Sequence, residues 1–365
     1  MKRNGTTSAG RTRWRCVQCG ASATRTRPDV SRRHHLDTFL TWLTQPGPPS
    51  QDSHTSRWTF HRDTAWCWDL NPAIPVTGEV WSCVQLDGIA VGGMCLLIAI
   101  TPDMTVVATQ WCDREKQVAW QALMVRIPAP DVVVCDGHKG LLAAIKTCWP
   151  TTVVQRCLVH IRRDVVTYLT QHPRTDAGTA LLGLTTRLTH LTTVDQAGVW
   201  MSQMNDWWTV FGHLTTERSY LAVTPAEDIP SWIRPGQRWW YTHARLRSAW
   251  RLLNTQIKAE TLFCYLDHPG VDATTNKIEG GINAQIRLIL SRHRGMSPAH
   301  QRRAADWFCY LHSCHPSPHT LLTQLNQHHH HAQAVDDPIL PPLYGNGLTT
   351  EEGLWTRKGW AGRST

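Results

Sequence analysis

Hydrophobic and polar positions change rhythm several times along this chain. From residue 80 the apolar residues come in short runs broken by tight Gly or Pro-Asp connections, at 80–91, 94–100 and 105–112. Runs of that length and spacing predict three strands of an antiparallel meander. Residues 116–126 have helical spacing. Within Asp131–Asp136 (DVVVCD) the run from Val132 to Cys135 is wholly apolar and ends in a carboxylate, as expected of a strand buried on both faces. Residues 138–148 read as a helix, 152–157 as a fifth strand and 158–170 as another helix.

The order β-β-β-α-β-α-β is the ribonuclease H-like order, and it predicts an α/β fold with a mixed five-stranded sheet. Strand signals then stop. Residues 175–274 look helical and Trp-rich, so an all-helical insertion is expected to interrupt the core. A helix over 276–293 follows, N-capped by Thr275 or Asn276, and then a second over 298–313. Upstream, a short helix at 36–43 leads into a Pro/Ser/Gln linker at 45–56 and a Trp-rich approach at 58–68. Six parts are therefore expected: a basic arm (1–35), a linker or DNA-binding remnant (36–79), the first part of the core (80–174), the insertion (175–273), the final core helices (274–314) and a tail (315–365). The tail is Pro/His/Gly-rich, with His328–His331 in a row, and is expected to be disordered.

Charge sharpens this picture. The 365 residues carry 37 Lys+Arg against 28 Asp+Glu, a net +9, which favours phosphate-bearing partners without bearing on fold. Nine of those cations (Lys2, Arg3, Arg11, Arg13, Arg15, Arg25, Arg27, Arg32, Arg33) precede residue 36, against Asp29 alone. The most apolar stretch, 88–100, is too short and Gly-broken to span a bilayer, and no secretory pattern opens the chain. Twelve cysteines scattered among apolar segments suggest a reducing, cytoplasmic setting in which most are small buried hydrophobes.

Three acids stand where a core should not spend them. Asp87 follows Val84-Gln85-Leu86, Asp136 ends its apolar run, and Glu279 lies early in the 276–293 helix before Gly280-Gly281. Sites in α/β sheets gather at strand ends. On the helix, Ile278, Ile282, Ile286 and Ile289 form the buried stripe, with Asn276, Glu279, Asn283 and Arg287 on an adjacent polar face. Taken singly, an Asp-Gly pair is more often a turn. All three together, in this strand order, point to carboxylates converging to hold Mg²⁺, or Mn²⁺, as two ions flanking a scissile phosphate.

The motifs LDG at Asp87, VVVCDGHKG at Asp136, QRCLVHIRRD at Cys157 and His160, and TTNKIEGGINAQIR at Glu279 resemble the bacterial mutator-type insertion-sequence transposases, in particular their actinobacterial branch. The resemblance runs from about residue 13 to residue 313. It implies a ribonuclease H-like transposase with a catalytic triad of Asp87, Asp136 and Glu279, two divalent metals, and DNA as partner (terminal inverted repeats and target), acting as a homodimer or higher oligomer in the nucleoid. The family's C-x2-H signature falls on Cys157 and His160. His160 and Asp164, four apart on one helix, would let the acid orient the imidazole beside the phosphate; a half-buried cysteine and a surface histidine is the plain alternative, and half a zinc site a further one, for which no matching second pair is evident nearby. Arg11, Arg13, Arg15, Trp239, Trp240, Asn283 and Arg287 are the candidate DNA contacts, the tryptophans through stacking on unpaired bases. Cys16 and Cys19 resemble one knuckle of a zinc ribbon. Two thiolates supply half a structural zinc shell, so no stable zinc is expected there. A silent or domesticated DNA-binding derivative, and a nuclease without strand transfer, remain the rival readings.

Overall fold

The computed structural model describes residues 1–24, 28–45 and 56–323. Most of the expected linker, the cations Arg25 and Arg27, and the tail beyond 323 lie outside the described residues. The chain opens with a three-stranded antiparallel sheet, β1 (Lys2–Thr6), β2 (Thr12–Arg15) and β3 (Ser22–Thr24), and two helices, α1 (Pro28–Thr44) and α2 (Arg57–Thr64). The basic arm is thus structured through residue 24, not a bare extension. Nearly all of its side chains are exposed, so backbone pairing and Gly turns hold it and not a core.

The region expected to be a linker carries core residues. Leu36, Phe39 and Leu43 of α1 are fully buried, as are Cys67 and Leu70 beyond α2. Phe39 meets Trp68 edge-on at 4.8 Å and Trp307 at 6.4 Å. The spacing 36, 39, 40, 43 is a helical apolar stripe, and the helix expected at 36–43 is present, extended back to Pro28.

The main sheet has five strands, β4 (Cys83–Val91), β5 (Met94–Ile100), β6 (Val106–Cys112), β7 (Val132–Cys135) and β8 (Val153–Arg156), in the spatial order β6-β5-β4-β7-β8. Pairing is antiparallel among β4, β5 and β6, and parallel from β4 to β7 and β7 to β8. The mixed five-stranded sheet and its element order agree with the sequence expectation. Helices α3 (Gln117–Met124) and α4 (Lys139–Cys148) cover one face, meeting Val84, Leu86, Leu97 and Ala99. On the other face Ile89, Val91, Leu96, Ile98 and Ile100 meet α1 and the late helices. Alternate residues of β4 and β5 thus serve two cores, which is what the two-residue period of a strand requires.

Helix α5 (Leu158–Leu169) follows β8 and joins a third core with α6 (Asp176–Leu188), α7 (Val194–Phe211) and α8 (Ala244–Lys258). The region between α7 and α8 is not all-helical as expected. It holds a two-stranded antiparallel sheet, β9 (Arg218–Tyr220) with β10 (Trp239–Tyr241), whose side chains are tied by Arg218 lying 4.1 Å over the Trp239 ring. After the short α9 (Cys264–Asp267), the expected 276–293 helix begins as a π-helical turn, Lys277–Asn283, before α10 (Ala284–Arg292). Helix α11 (Pro298–Leu311) closes the core, started by the Ser297 hydroxyl accepting from the His300 amide. Residues 315–323, expected to belong to a disordered tail, instead form a short helical turn that buries Leu321 and sets His319 on Asp37 at 2.7 Å. Among the described residues no helix is long and apolar enough to cross a membrane.

Candidate active site

Strand parity and register bring the first two acids together. Leu86 pairs with Cys135 across the parallel β4–β7 ladder, so Asp87 and Asp136 are the next residues on adjacent strands. Leu86 and Cys135 both face the α3/α4 core. Their successors therefore point to the opposite face, where Ile89 meets the late helices.

Glu279 reaches that face from the π-helical turn. The widened turn also carries Asn283, which is fully buried and donates its Nδ2 to Asp87 Oδ2 at 2.7 Å. Its Oδ1 has no hydrogen-bond partner. Asn283 was expected to contact DNA; it is instead sealed against Asp87. Single π turns occur often at functional sites because they shift side chains off the α-helical register. The glycines allow close approach: a Cβ at Gly281 would lie 3.0 Å from Met104 Sδ. Of the two expected caps Asn276 takes the N-cap position, without a side-chain bond, and Thr275 precedes it. The Thr275 hydroxyl donates to Glu279 Oε1, and its amide donates to Cys157 Sγ at 3.3 Å.

Mutual repulsion marks the cluster. Burial, and after it the charges of Glu279, Asp136 and Glu115, push the Asp87 carboxyl up to about 7. Glu115 is a fourth acid that sequence reasoning missed. Burial and Asp136 raise it in turn, and Cys95 donates to its Oε1 at 3.6 Å. A Cβ on Gly88 would lie 2.5 Å from that oxygen, so the glycine of LDG leaves room for a carboxylate. The glycine after Asp136 has a parallel role. Gly137 sits at φ +82°, and an added Cβ would fall 1.8 Å from Arg156 Cζ. The buried Arg156 crosses there to donate to the Asp136 carbonyl at 2.6 Å and to Gln256 Oε1 at 3.2 Å. The Asp136 carboxylate itself accepts from the His138 amide at 2.8 Å.

Cys157 and His160 border the cluster from the start of α5. Cys157 is buried; burial would raise its thiol, but hydrogen bonding with His160 and Thr275 outweighs this and holds it below the ordinary value. The adjoining Cys157 sulfur, against the opposing effect of burial, raises the imidazole, with smaller contributions from Glu279 and Asp136. His160 Nδ1 lies 3.5 Å from Glu279 Oε1, while Nε2 faces Arg163 at 3.2 Å. The acid beside the imidazole is thus Glu279, and the expected orienting role of Asp164 is not what the contacts give. Asp164 is exposed, and no hydrogen bond joins it to His160.

The other candidates lie apart from this cluster. Arg11, Arg13 and Arg15 belong to the N-terminal sheet and its turn, where Arg15 donates to the Gly20 carbonyl at 3.1 Å. Cys16 and Cys19 share that turn, and the amides of Cys19 and Gln18 lower the Cys16 thiol. Trp240 is buried in β10, and Trp239 is partly covered by Arg218. Arg287 is exposed on α10, one turn beyond Asn283.

Residues 86–215 match a family model described as Transposase, Mutator family. That span includes Asp87, Asp136, Cys157 and His160 but ends before Glu279. Among curated proteins the chain is similar to a probable transposase for an insertion sequence element from Corynebacterium diphtheriae. There it is 38% identical over 50 residues, 14% of this chain and 15% of that protein. It is also similar to the transposase for insertion sequence element ISRM5 of Rhizobium meliloti (strain 1021), 33% identical over 69 residues, or 18% of this chain and 17% of that protein. The matches span about a sixth of each relative's length. Across residues 86–215, then, the chain is similar to the Mutator-family transposases.

Proposed function

We propose that this protein is a DNA transposase with a ribonuclease H-like catalytic core, and that Asp87, Asp136 and Glu279 form its reactive centre. What supports the reading is that β4, the end of β7 and the π-helical turn bring Asp87, Asp136 and Glu279 near enough for the charges of the last two to act on the Asp87 carboxyl. Burial, and after it the charges of Glu279 and Asp136, raise the Asp87 carboxyl to about 7 there. Like charges brought together at the cost of their own ionisation mark a functional site more often than a structural one.

The donor set fits divalent magnesium or manganese. Carboxylate oxygens are the preferred ligands of such ions, and the orphaned Asn283 Oδ1 beside Asp87 adds an unused oxygen. Asp87, Asp136 and Glu279 would hold the ions, which when bound supply charge neutralisation and activation of oxygen nucleophiles. The chain's own residues do the rest. Asn283 fixes one Asp87 oxygen, Thr275 orients Glu279, and the His138 amide orients Asp136. The imidazole of His160 sits where a scissile phosphate would approach Glu279, and its raised affinity for a proton suits an anion-facing group. The reaction is phosphoryl transfer on DNA. Water attacks the phosphorus at the element end and the P–O3′ bond breaks. The freed 3′-hydroxyl then attacks a target phosphodiester and displaces its 3′-oxygen. DNA is the partner of this reading, and the exposed cations of the N-terminal sheet and Arg287 are its phosphate contacts.

Incubation of the purified chain with a labelled element end and a supercoiled target plasmid in Mg²⁺ tests this. Joined end–plasmid products are expected. Nicked ends without joining would reduce the activity to a nuclease, and binding without nicking would leave a silent DNA-binding derivative.

A further inference from the structure

Cys157, His160 and Glu279 do more than border the acid cluster. Their ligand atoms (Sγ, a ring nitrogen and a carboxylate oxygen) all lie within 4.8 Å of one another. The ligands of a tetrahedral zinc ion, at bonds of about 2.0–2.3 Å, stand roughly 3.3–3.8 Å apart; the cluster is therefore a small contraction away from a zinc shell. Cys157 alone is unremarkable in a chain of twelve cysteines, and nothing in hard-cation chemistry calls for a thiol and an imidazole beside a catalytic carboxylate.

We infer that Cys157 Sγ, His160 Nδ1 and Glu279 form a binding site for a zinc-class divalent ion, with the fourth position open. The inference goes beyond the catalytic reading above and shares with it Glu279 and His160, the latter now as a neutral ligand through Nδ1 and not as an anion-facing imidazolium. Three features fit it. His160 Nδ1 is buried and lies 3.5 Å from Glu279 Oε1. Thr275, itself fully buried, braces two ligands at once, its amide on the Cys157 sulfur and its hydroxyl on Glu279. Outer contacts of that kind fix ligand orientation in metal sites. The three residues also come from two rigid elements, since Cys157 and His160 lie one helical turn apart at the start of α5 and Glu279 lies on the π-helical turn. Ligation through Nδ1 leaves the proton on Nε2, so the exposed Arg163 guanidinium now facing Nε2 turns toward solvent when the ion binds. The centre then has a soft half at Cys157/His160 and a hard half at Asp87/Asp136, with Glu279 between them.

Cobalt(II) titration of the full chain reports the site directly, because a thiolate ligand gives a near-ultraviolet charge-transfer band and tetrahedral coordination an intense visible one. Cys16→Ser and Cys19→Ser are combined in the protein used, to remove the only other paired thiols of CxxC spacing. One cobalt per chain with both bands is expected, displaced by one equivalent of Zn²⁺. Cys157→Ser should abolish the near-ultraviolet band. His160→Ala and Glu279→Gln should each weaken cobalt affinity at least tenfold, and these two carry the test if Cys157→Ser does not fold by circular dichroism. Absence of the thiolate band, its survival in Cys157→Ser, or unchanged affinity in both other variants would overturn the inference. Asp87→Asn separates this proposal from the catalytic one: it should keep both bands while losing DNA cleavage. Bands with cleavage retained would sink the catalytic reading alone, and lost cleavage with no bands would sink the zinc site alone.

Discussion

Asp87 shows how one residue carries both a cost and a use. Folding raises its carboxyl from 3.8 to about 7 through burial and the nearby acids. A raised carboxyl binds its proton more tightly in the folded chain, so its contribution to stability is full below about pH 4 and is lost as pH rises through 7. A shift of that size corresponds to roughly 4 kcal/mol at most, and exposure of part of the group reduces it. In metal-free protein Asp87→Asn should therefore be stabilising at pH 8, by about 1–3 kcal/mol, and the gain should fade toward pH 4. Urea melts of both proteins across that range, with chelator present, check it; a variant less stable than the parent at pH 8 would mean that Asp87 is not repelled by its neighbours. The three acids of the proposed triad were picked out in the sequence because Asp136 ends an apolar run, Asp87 stands within another, and Glu279 lies beside an isoleucine stripe. Glu115 was not. It stands between Arg114 and Lys116, where an acid reads as solvated charge, and only the room left by Gly88 explains its position.

Among the elements, periodicity proved a better guide than composition. The sheet was legible from run lengths and turns, whereas the assignment of β4 and β5 residues to two cores came only with the structure. Before the sheet, the four-residue stripe of α1 marked the short helix at 36–43, though not its extent back to Pro28 or its place in the core. Phe39→Ala should cost about 3–4 kcal/mol, as for a core aromatic, whereas a linker position would cost almost nothing; chemical denaturation distinguishes the two. The small β9–β10 sheet was missed because three-residue strands leave no measurable alternation, and its pairing rests on contacts such as Arg218 over Trp239 that need the fold to form. The N-terminal sheet is the opposite case, formed but almost coreless. Removing residues 1–24 should leave thermal unfolding nearly unchanged. It should also flatten the salt dependence of DNA binding by up to about 4 units of log–log slope, since Lys2, Arg3, Arg11, Arg13 and Arg15 leave with it and each phosphate contact contributes about 0.9. An unchanged slope in a filter-binding series would remove the arm from the DNA interface.

At the scale of the whole molecule, three cores meet around one point. The α3/α4 face fixes the strands that present Asp87 and Asp136, the opposite face fixes the π-helical turn with Glu279, and α5 links both to the helical region through Cys157 and His160. A sequence read in one dimension foresees such convergence only where strand order is recognisable. It foresees neither the π turn nor the bond from Asn283 to Asp87, because both depend on how the last helices dock. The central claim is that Asp87, Asp136 and Glu279 act as one centre. Its most direct test is single-turnover cleavage of a labelled element end in Mg²⁺ by the parent protein and by Asp87→Asn, Asp136→Asn and Glu279→Gln, with DNA affinity measured alongside. Loss of cleavage by at least about a thousandfold in all three, with affinity kept within about threefold because phosphate contacts dominate binding, is the predicted result. Cleavage near the parent rate in any one of the three would contradict the account.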